Sequence, residues 1–556
     1  MQPSTKLAVT IRVLIALATT TFFQPDEYFQ ALEPAHHLVF GYGHLTWEWL
    51  SPHPIRSFIY PALNVPIFWL LRVTRLADSA YLGDWLLILG PKVLHGLLAA
   101  GTDIGLCKLT RTVLGVDAVP LALLLSLSSF FHALALSRSL SNSLETSLST
   151  IAFSFYPWDA SSHPNYQLAI PSLEKTILCS ALACLIRPTN ALIWVYLYGS
   201  LVWILRKHTN IVLSIIRQVT LVVTIALLFQ FSIDSMYYGK AIFTPLNFLL
   251  TNLSSVSLFY GSNSWHYYVT QALPILCTTA LPFSIHGMWC TLTDRSQNNR
   301  ALQVMLKTIL WSTAVYSFAG HKEWRFLHPL LPLLHVMAAK SLLELNISSN
   351  RAGYLPIKRK HLVLLLLTLP ASLYVVLFYC SAPISVLAYF RSLPHEELNQ
   401  TTIGFLMPCH STPGYAYLHR KELADGRMWA LGCEPPSRRH QDLASYHDQT
   451  DIFYASPQTY LSTYFPDKVN QSFPLSPFPT SIPGSPSVGV REFPWRHEWP
   501  EYLVFFGDLL LGGAIRQLLK GKGYVEIWKA GPEWHGEGRR KGGVRVWKWR
   551  HRTWTT

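Results

Sequence analysis

The chain reads as a polytopic α-helical membrane protein followed by a water-facing domain of mixed α/β type. Three observations predict this class. Half of the 556 residues are hydrophobic and only 14% are charged, too apolar a balance for a soluble domain. Apolar stretches of membrane-spanning length recur between Leu7 and Pro383. Beyond them the chain turns rich in Pro, Trp, Tyr and charge, with no further span. The expected division is a multi-span domain over residues 1–388, containing a catalytic loop at 24–57, and a C-terminal domain over 389–556.

The first run, Leu7–Phe23, has no small-x-small cleavage site before Phe22-Phe23-Gln24 and is expected to remain as an anchor. Further runs lie at Trp85–Cys107, Ala118–Leu136, Ala191–Leu205, Ile211–Ile233, Tyr267–Leu292, Val304–Ala319, Leu330–Leu345 and His361–Pro383. Weaker ones lie at Phe58–Leu71, Leu144–Tyr156 and Leu168–Ile186. Basic residues mark cytosolic ends: Lys6 and Arg12, then Arg206-Lys207-His208, then Arg295, Arg300 and Lys307, then Arg351–Lys360. Alternation places Asp26, the 234–266 loop, the turn at His321 and everything after Pro383 on the opposite, lumenal side. The number of spans is then odd, roughly nine to thirteen, the count turning on residues 58–187. Of four acceptor sequons, Asn252, Asn399 and Asn470 face the lumen, whereas Asn346 sits at a cytosolic helix end and is expected to stay unused.

The net charge of +14 argues for no nucleic-acid partner. The cations sit in short loops and in the tail, without a basic stripe interleaved with stacking aromatics. In the C-terminal part, Tyr415–Leu418, Met428–Leu431, Tyr502–Phe506 and Tyr524–Trp528 have strand-type composition. Pro474–Pro486 reads as a linker or exposed loop, and the basic end Arg539–Arg552 as a solvated tail. Six of the eight cysteines lie in or beside apolar runs. Cys409 and Cys433 lie in the lumenal part, where a disulfide between them fits an oxidising compartment. No His/Cys spacing suggests a zinc site.

Polar clusters in this apolar chain carry the chemistry. Gln24-Pro25-Asp26-Glu27 puts two carboxylates just beyond the first span. Pro25 suits a helix start, with Asp26 and Glu27 in its favourable first turn. A carboxylate there is costly unless it faces water, a cavity or a cation, although an ordinary solvated cap has the same pattern. Arg138, Asn142 and Glu145 form a polar patch ahead of a weak span. Arg187-Pro188-Thr189 sits between two runs, where a tight turn is the plainer reading. Tyr237, Tyr238, Asn247, Trp265 and His266 give a lumenal loop region suited to sugars, whose apolar faces stack on rings, although interfacial aromatic belts look alike. His321, Lys322, Glu323 and Arg325 gather three cationic or protonatable groups and a carboxylate between two spans. Such a set can hold a phosphate, and Glu323 can orient its neighbours. Helix-end cations that merely snorkel are the bland alternative.

Taken together, Gln24-Pro-Asp26-Glu27-Tyr-Phe-Gln, Arg138-Ser-Leu-Ser-Asn142-Ser-Leu-Glu145, Arg187-Pro-Thr, Tyr237-Tyr-Gly with Asn247-Phe-Leu, and His321-Lys-Glu-x-Arg325-Phe resemble the dolichol-phosphate-mannose-dependent α-mannosyltransferases of the GT-C type. Met407-Pro-Cys-His410-Ser-Thr-Pro-Gly, Cys433-Glu-Pro-Pro and Asp451-Ile-Phe-Tyr-Ala-Ser-Pro resemble the branch that adds the third mannose of glycosylphosphatidylinositol (GPI) anchors. The resemblance runs from about residue 20 to the C-terminus. It implies an endoplasmic reticulum enzyme with a lumenal site, a lipid-phosphate-linked mannose donor, a GPI glycolipid acceptor and an α1,2 product. A β-linked donor and α-linked product imply inversion, which calls for one general base. Asp26 is the first candidate, with Glu27 the second. His321, Lys322 and Arg325 would hold the leaving phosphate. With no Asp-x-Asp pair in a lumenal loop, no metal or other cofactor is expected.

Two other readings compete. A lipid-linked-sugar transporter or scramblase would show internal repeats and polar groups at midplane, and neither is evident. A sister mannosyltransferase of N-glycan precursor assembly shares the first-loop carboxylates and stays open. A lumenal lectin-like scaffold would not need the cation cluster.

Overall fold

The computed structural model describes residues 3–79, 81–159, 170–254, 256–259, 261–294, 299–346, 355–436, 446–476, 482–485 and 495–550. Among them, five helices are long and apolar enough to cross a membrane: Leu82–Leu114, Thr209–Tyr238, Tyr268–Thr293, Trp324–Asn346 and Arg359–Arg391. Several further apolar runs form shorter helices, including Pro3–Ala18, Ser141–Phe155, Ile170–Ile186, Ala191–Ile204 and Arg300–Ser317. The run at Ala118–Leu136 is broken. An α-helix over Val119–Ser128 ends at an extended Ser129, and a π-helical turn follows at His132–Leu136.

The described chain clusters into two compact units. The first comprises Met1–Thr19, Pro91–Pro245 and Tyr260–Val376. Its helices approach closely where side chains are small, as membrane helix packing requires. A Cβ built on Gly287 would lie 1.9 Å from the Met337 carbonyl oxygen, so Leu281–Thr293 can rest on Leu331–Asn346 only because that residue is glycine. A buried polar network sits in this unit. Arg12 pairs bidentately with Asp103 at 2.7 and 3.0 Å, and Ser126 donates to Asp103 at 2.6 Å. All three side chains are fully buried, so each charge is matched rather than exposed to lipid.

The second unit comprises Thr20–Gly90, Leu246–Phe259 and Leu377–Thr556. Its centre is a five-stranded sheet: β1 (Ile403–Phe405), β2 (Met428–Ala430), β3 (Tyr502–Phe506), β4 (Tyr524–Ala530) and β5 (Val544–Trp549). The order is β2-β1-β3-β5-β4. β1 runs parallel to β2 and β3, while β5 runs antiparallel to β3 and β4. A core of Trp429, Phe453, Tyr460, Trp499, Phe505, Leu519, Tyr524 and Trp547 packs against it.

Two expectations are overturned here. Tyr415–Leu418 is a single helical turn, not a strand, because the Tyr415 and Ala416 amides are drawn onto a buried carboxylate described below. The basic end is no solvated tail across its described part. In β5, Val544, Val546 and Trp547 are buried, while Arg545 and Lys548 are only partly buried. The Pro/Ser-rich stretch lies partly outside the described residues, and within its described part the Gly484 amide donates to the Trp49 carbonyl at 2.8 Å.

Candidate active site

In the second unit, the helical backbone begins at Asp26, directly after Pro25. The Glu27 amide turns back onto the Gln24 carbonyl at 3.2 Å, and the Tyr28 and Phe29 amides onto that of Pro25 at 3.0 Å. A π-helical turn over Tyr28–Leu32 then leads into the helix Glu33–Phe40. Such one-residue bulges are rare and recur at functional sites. Asp26 is half-buried and Glu27 is buried. The turn is set by aromatic packing: Tyr28 stacks on Phe22 at 5.4 Å and meets the edge of Tyr417 at 5.2 Å. Downstream, Gln30 donates to Glu48 at 3.1 Å, and Arg56 pairs with the same carboxylate at 2.7 Å. Asn247 also belongs here, with its amide donating to the Pro54 carbonyl at 3.1 Å. Gln24 stands at the start of the turn.

In the first unit, the residues around His321 form one connected group. Arg325 grips Glu323 with two bonds, at 2.6 and 2.9 Å, and His321 Nε2 lies 3.3 Å from the same carboxylate. Lys322 Nζ donates to the Asn263 carbonyl at 2.8 Å, while the Asn263 amide returns a 2.8 Å bond to the Lys322 carbonyl. Burial alone would raise the Glu323 carboxyl, but Arg325 and His321 hold it well below its usual range. The hydrogen bond to Glu323 in turn raises His321, keeping it protonated to higher pH. Glu323 therefore orients the cations, and the group presents His321, Lys322 and Arg325 as a positively charged set.

That group touches two more of the singled-out motifs. Arg187 lies over the Phe326 ring at 5.1 Å and pairs with Glu145 at 3.2 Å. Asn190 donates to Glu145 at 2.9 Å, and Arg187 reaches the Ser141 hydroxyl at 3.2 Å. The Arg187-Pro-Thr segment is thus more than a turn: it ties Glu145 to the His321–Phe326 segment. Arg138 is buried with its Nε on the Leu134 carbonyl at 2.6 Å, and Asn142 is buried one turn before Glu145. Tyr237 and Tyr238 end the Thr209–Tyr238 helix and meet edge-on at 5.0 Å. Trp265 is 76% exposed, and His266 Nδ1 lies 3.1 Å from the Thr270 hydroxyl, just before another π-helical turn at Tyr268–Ala272.

Sequence reasoning passed over Glu33. It is fully buried and accepts backbone N–H bonds from His44 at 2.8 Å, Tyr415 at 2.9 Å and Ala416 at 2.7 Å. Burial pushes its carboxyl up to about 7, with those three amides pulling it down. Its position in a Gln-Ala-Leu-Glu helix gives no local signal, because its partners lie at residue 44 and beyond residue 410. Cys409 and Cys433 are joined as a disulfide with Cα atoms 5.9 Å apart, close to His410. Asn252, Asn399 and Asn470 are exposed. Among the described residues, His286, Cys290 and Glu344 lie close enough to share an ion, whereas Cys409 and Cys433 beside His410 are tied up in the disulfide.

Residues 5–419 match the family model described as the Alg9-like mannosyltransferase family. The chain belongs to the Alg9-like mannosyltransferase family. It is accordingly a glycosyltransferase, and the relatives extend the likeness past residue 419. A Yarrowia lipolytica protein called GPI mannosyltransferase 3 is 35% identical, over 82% of each chain. A Danio rerio protein called GPI alpha-1,2-mannosyltransferase 3 is also 35% identical, over 83% of this chain and 80% of that one. The Aspergillus fumigatus GPI mannosyltransferase 3 is 32% identical over 97% of this chain and 76% of its own. Among solved structures, ArnT from Cupriavidus metallidurans bound to undecaprenyl phosphate is 11% identical, with a TM-score of 0.54 across 98% and 96% of the two chains. That likeness places this Alg9-like member in the multi-pass GT-C fold.

Proposed function

We propose that this mannosyltransferase transfers mannose from dolichol-phosphate-mannose to the second mannose of a GPI precursor, adding the third in α1,2 linkage on the lumenal side of the endoplasmic reticulum membrane. The observation that carries the reading is the oriented cation set. Glu323 holds Arg325 and His321 in place, and a leaving phosphate needs fixed positive charge where its own charge grows. The names of relatives that align across most of the chain favour the GPI step over N-glycan assembly, and a transporter has no use for a mannosyltransferase's motifs.

The chemistry follows from the residues. The acceptor hydroxyl oxygen attacks the anomeric carbon of the donor from the face opposite the phosphate. As that bond forms, the bond from carbon to phosphate oxygen breaks and its electron pair stays with the lipid phosphate. The hydroxyl proton passes to a carboxylate, assigned to Asp26, with Glu27 the alternative. His321, Lys322 and Arg325 stabilise the departing dianion, and no metal is invoked. The test is lipid-linked glycan profiling in cells depleted of the protein. Accumulation of a GPI precursor with two mannoses is expected, whereas loss of an N-glycan intermediate with normal GPI precursors would overturn the reading.

A further inference from the structure

The second unit holds a partly open cleft that none of the residues assigned above explains. Its walls come from two distant parts of the chain, Phe29 and His44 on one side and the segment from Met407 to Tyr415 on the other, over the ends of β1 and β2. These strands are parallel, and the cleft lies beyond their carboxyl ends, where open α/β sheets receive ligands. Three rings frame it: His410 lies 4.7 Å from Phe29 and 6.1 Å from His44, and Phe29 lies 5.9 Å from His44. Ser411 and Thr412 add hydroxyls, and Trp429 also lines the cleft.

The cleft is built at a cost. His410 adopts a left-handed backbone with φ of 55°, a conformation that non-glycine residues hold only when the surroundings impose it. Those surroundings are the Cys409–Cys433 bridge beside it and the buried Glu33 carboxylate, which clamps residues 44, 415 and 416 together. A Cβ built on Gly414 would come within 2.6 Å of that carboxylate, so a larger residue there would displace it from its three amides.

Resting on the mannosyl-transfer reading above, we infer that this cleft binds a hexose of the acceptor glycan and thereby presents the acceptor hydroxyl to the base. Aromatic rings around imidazole and hydroxyl groups match a sugar, which offers an apolar face and a rim of hydroxyls. Phe29 stands three residues after Asp26 in the same helical turn, so a sugar on Phe29 is positioned by the element that carries the base. The donor phosphate, in contrast, calls for fixed cations, and the cleft has no Lys or Arg among its lining residues.

The experiment uses the purified full-length protein in lipid nanodiscs, with dolichol-phosphate-mannose as donor and a two-mannose GPI precursor as acceptor. His410→Ala and the milder Thr412→Val are each expected to raise the acceptor KM, by up to about tenfold for one lost hydrogen bond. The donor KM and the melting temperature should stay at wild-type values. An unchanged acceptor KM in either folded variant, or a rise confined to the donor KM, would overturn the inference. Should the wild type instead mannosylate only an N-glycan precursor, the functional reading fails separately. The same KM comparison with that acceptor then decides the cleft.

Discussion

Single side chains set the chemistry. Asp26 is half-buried at the first turn of its helix, and replacing it by Asn keeps shape while removing basicity. A general base lost in this way should lower kcat by about 10²-fold or more, with the protein still inserted and folded, measured as mannose transfer in purified membranes. Wild-type rates in Asp26→Asn with an inactive Glu27→Gln would move the role to Glu27, and full activity in both would remove the base from this turn. At Arg325, Lys keeps the charge but loses the two-pronged grip on Glu323. Arg325→Lys should therefore raise the donor KM less than Arg325→Ala does, and equal donor KM values would exclude an anchoring role for the guanidinium fork. His321 has its own pH signature. Glu323 raises its pKa above 6.5, so its charge, and the stability of the pair, are fully present below that value and lost as pH rises through the folded pKa. Donor KM should climb across that upper window in the wild type and stay flat in His321→Gln. On the proposed mechanism side chains offset the phosphate charge, so saturating EDTA should leave the transfer rate unchanged, and a loss restored by one divalent ion would refute the metal-free proposal.

At the level of elements, close approach depends on missing side chains. The helix over Leu281–Thr293 meets the Met337 backbone at Gly287, and the turn at Gly414 meets the Glu33 carboxylate. Alanine at either point forces backbone or a buried carboxylate to move, a change of about 1–3 kcal/mol in stability. Gly414→Ala should lower the melting temperature, whereas Gly512→Ala, where nothing lies within 4 Å, should not. Equal melting temperatures would show that the clamp yields freely. The strands teach a related point. β3 and β4 were legible because β-branched and aromatic residues cluster there, but β5 mixes its buried Val and Trp with Arg and Lys, and the charges hid it. Tyr415–Leu418 had strand composition yet became a turn of helix, since three distant amides converge on Glu33 and local propensity cannot outweigh that set of bonds.

For the molecule as a whole, the layout of cations predicts a cytosolic N-terminus and a lumenal C-terminus. Appended glycosylation tags should be modified at the C-terminal end and left bare at the N-terminal end, and the reverse pattern would invalidate the sidedness assigned to Asp26 and His321. The membrane class and the mixed character of the C-terminal region were readable from sequence alone. Apolar run length and composition are local quantities, and the lipid environment punishes departures from them severely. The candidate site residues could be singled out from sequence, because a carboxylate or a cation cluster stands out in so apolar a chain. Partnership was not readable. That Arg187 joins Glu145 to the His321–Phe326 segment, that Arg12 is neutralised by Asp103, and that Glu33 ties residue 44 to residues 415 and 416 are decided only when the chain is folded. The bonds from Glu33 to residues 44 and 415 alone span 11 and 382 residues, and sequence records which groups need a partner without recording which partner the packing brings.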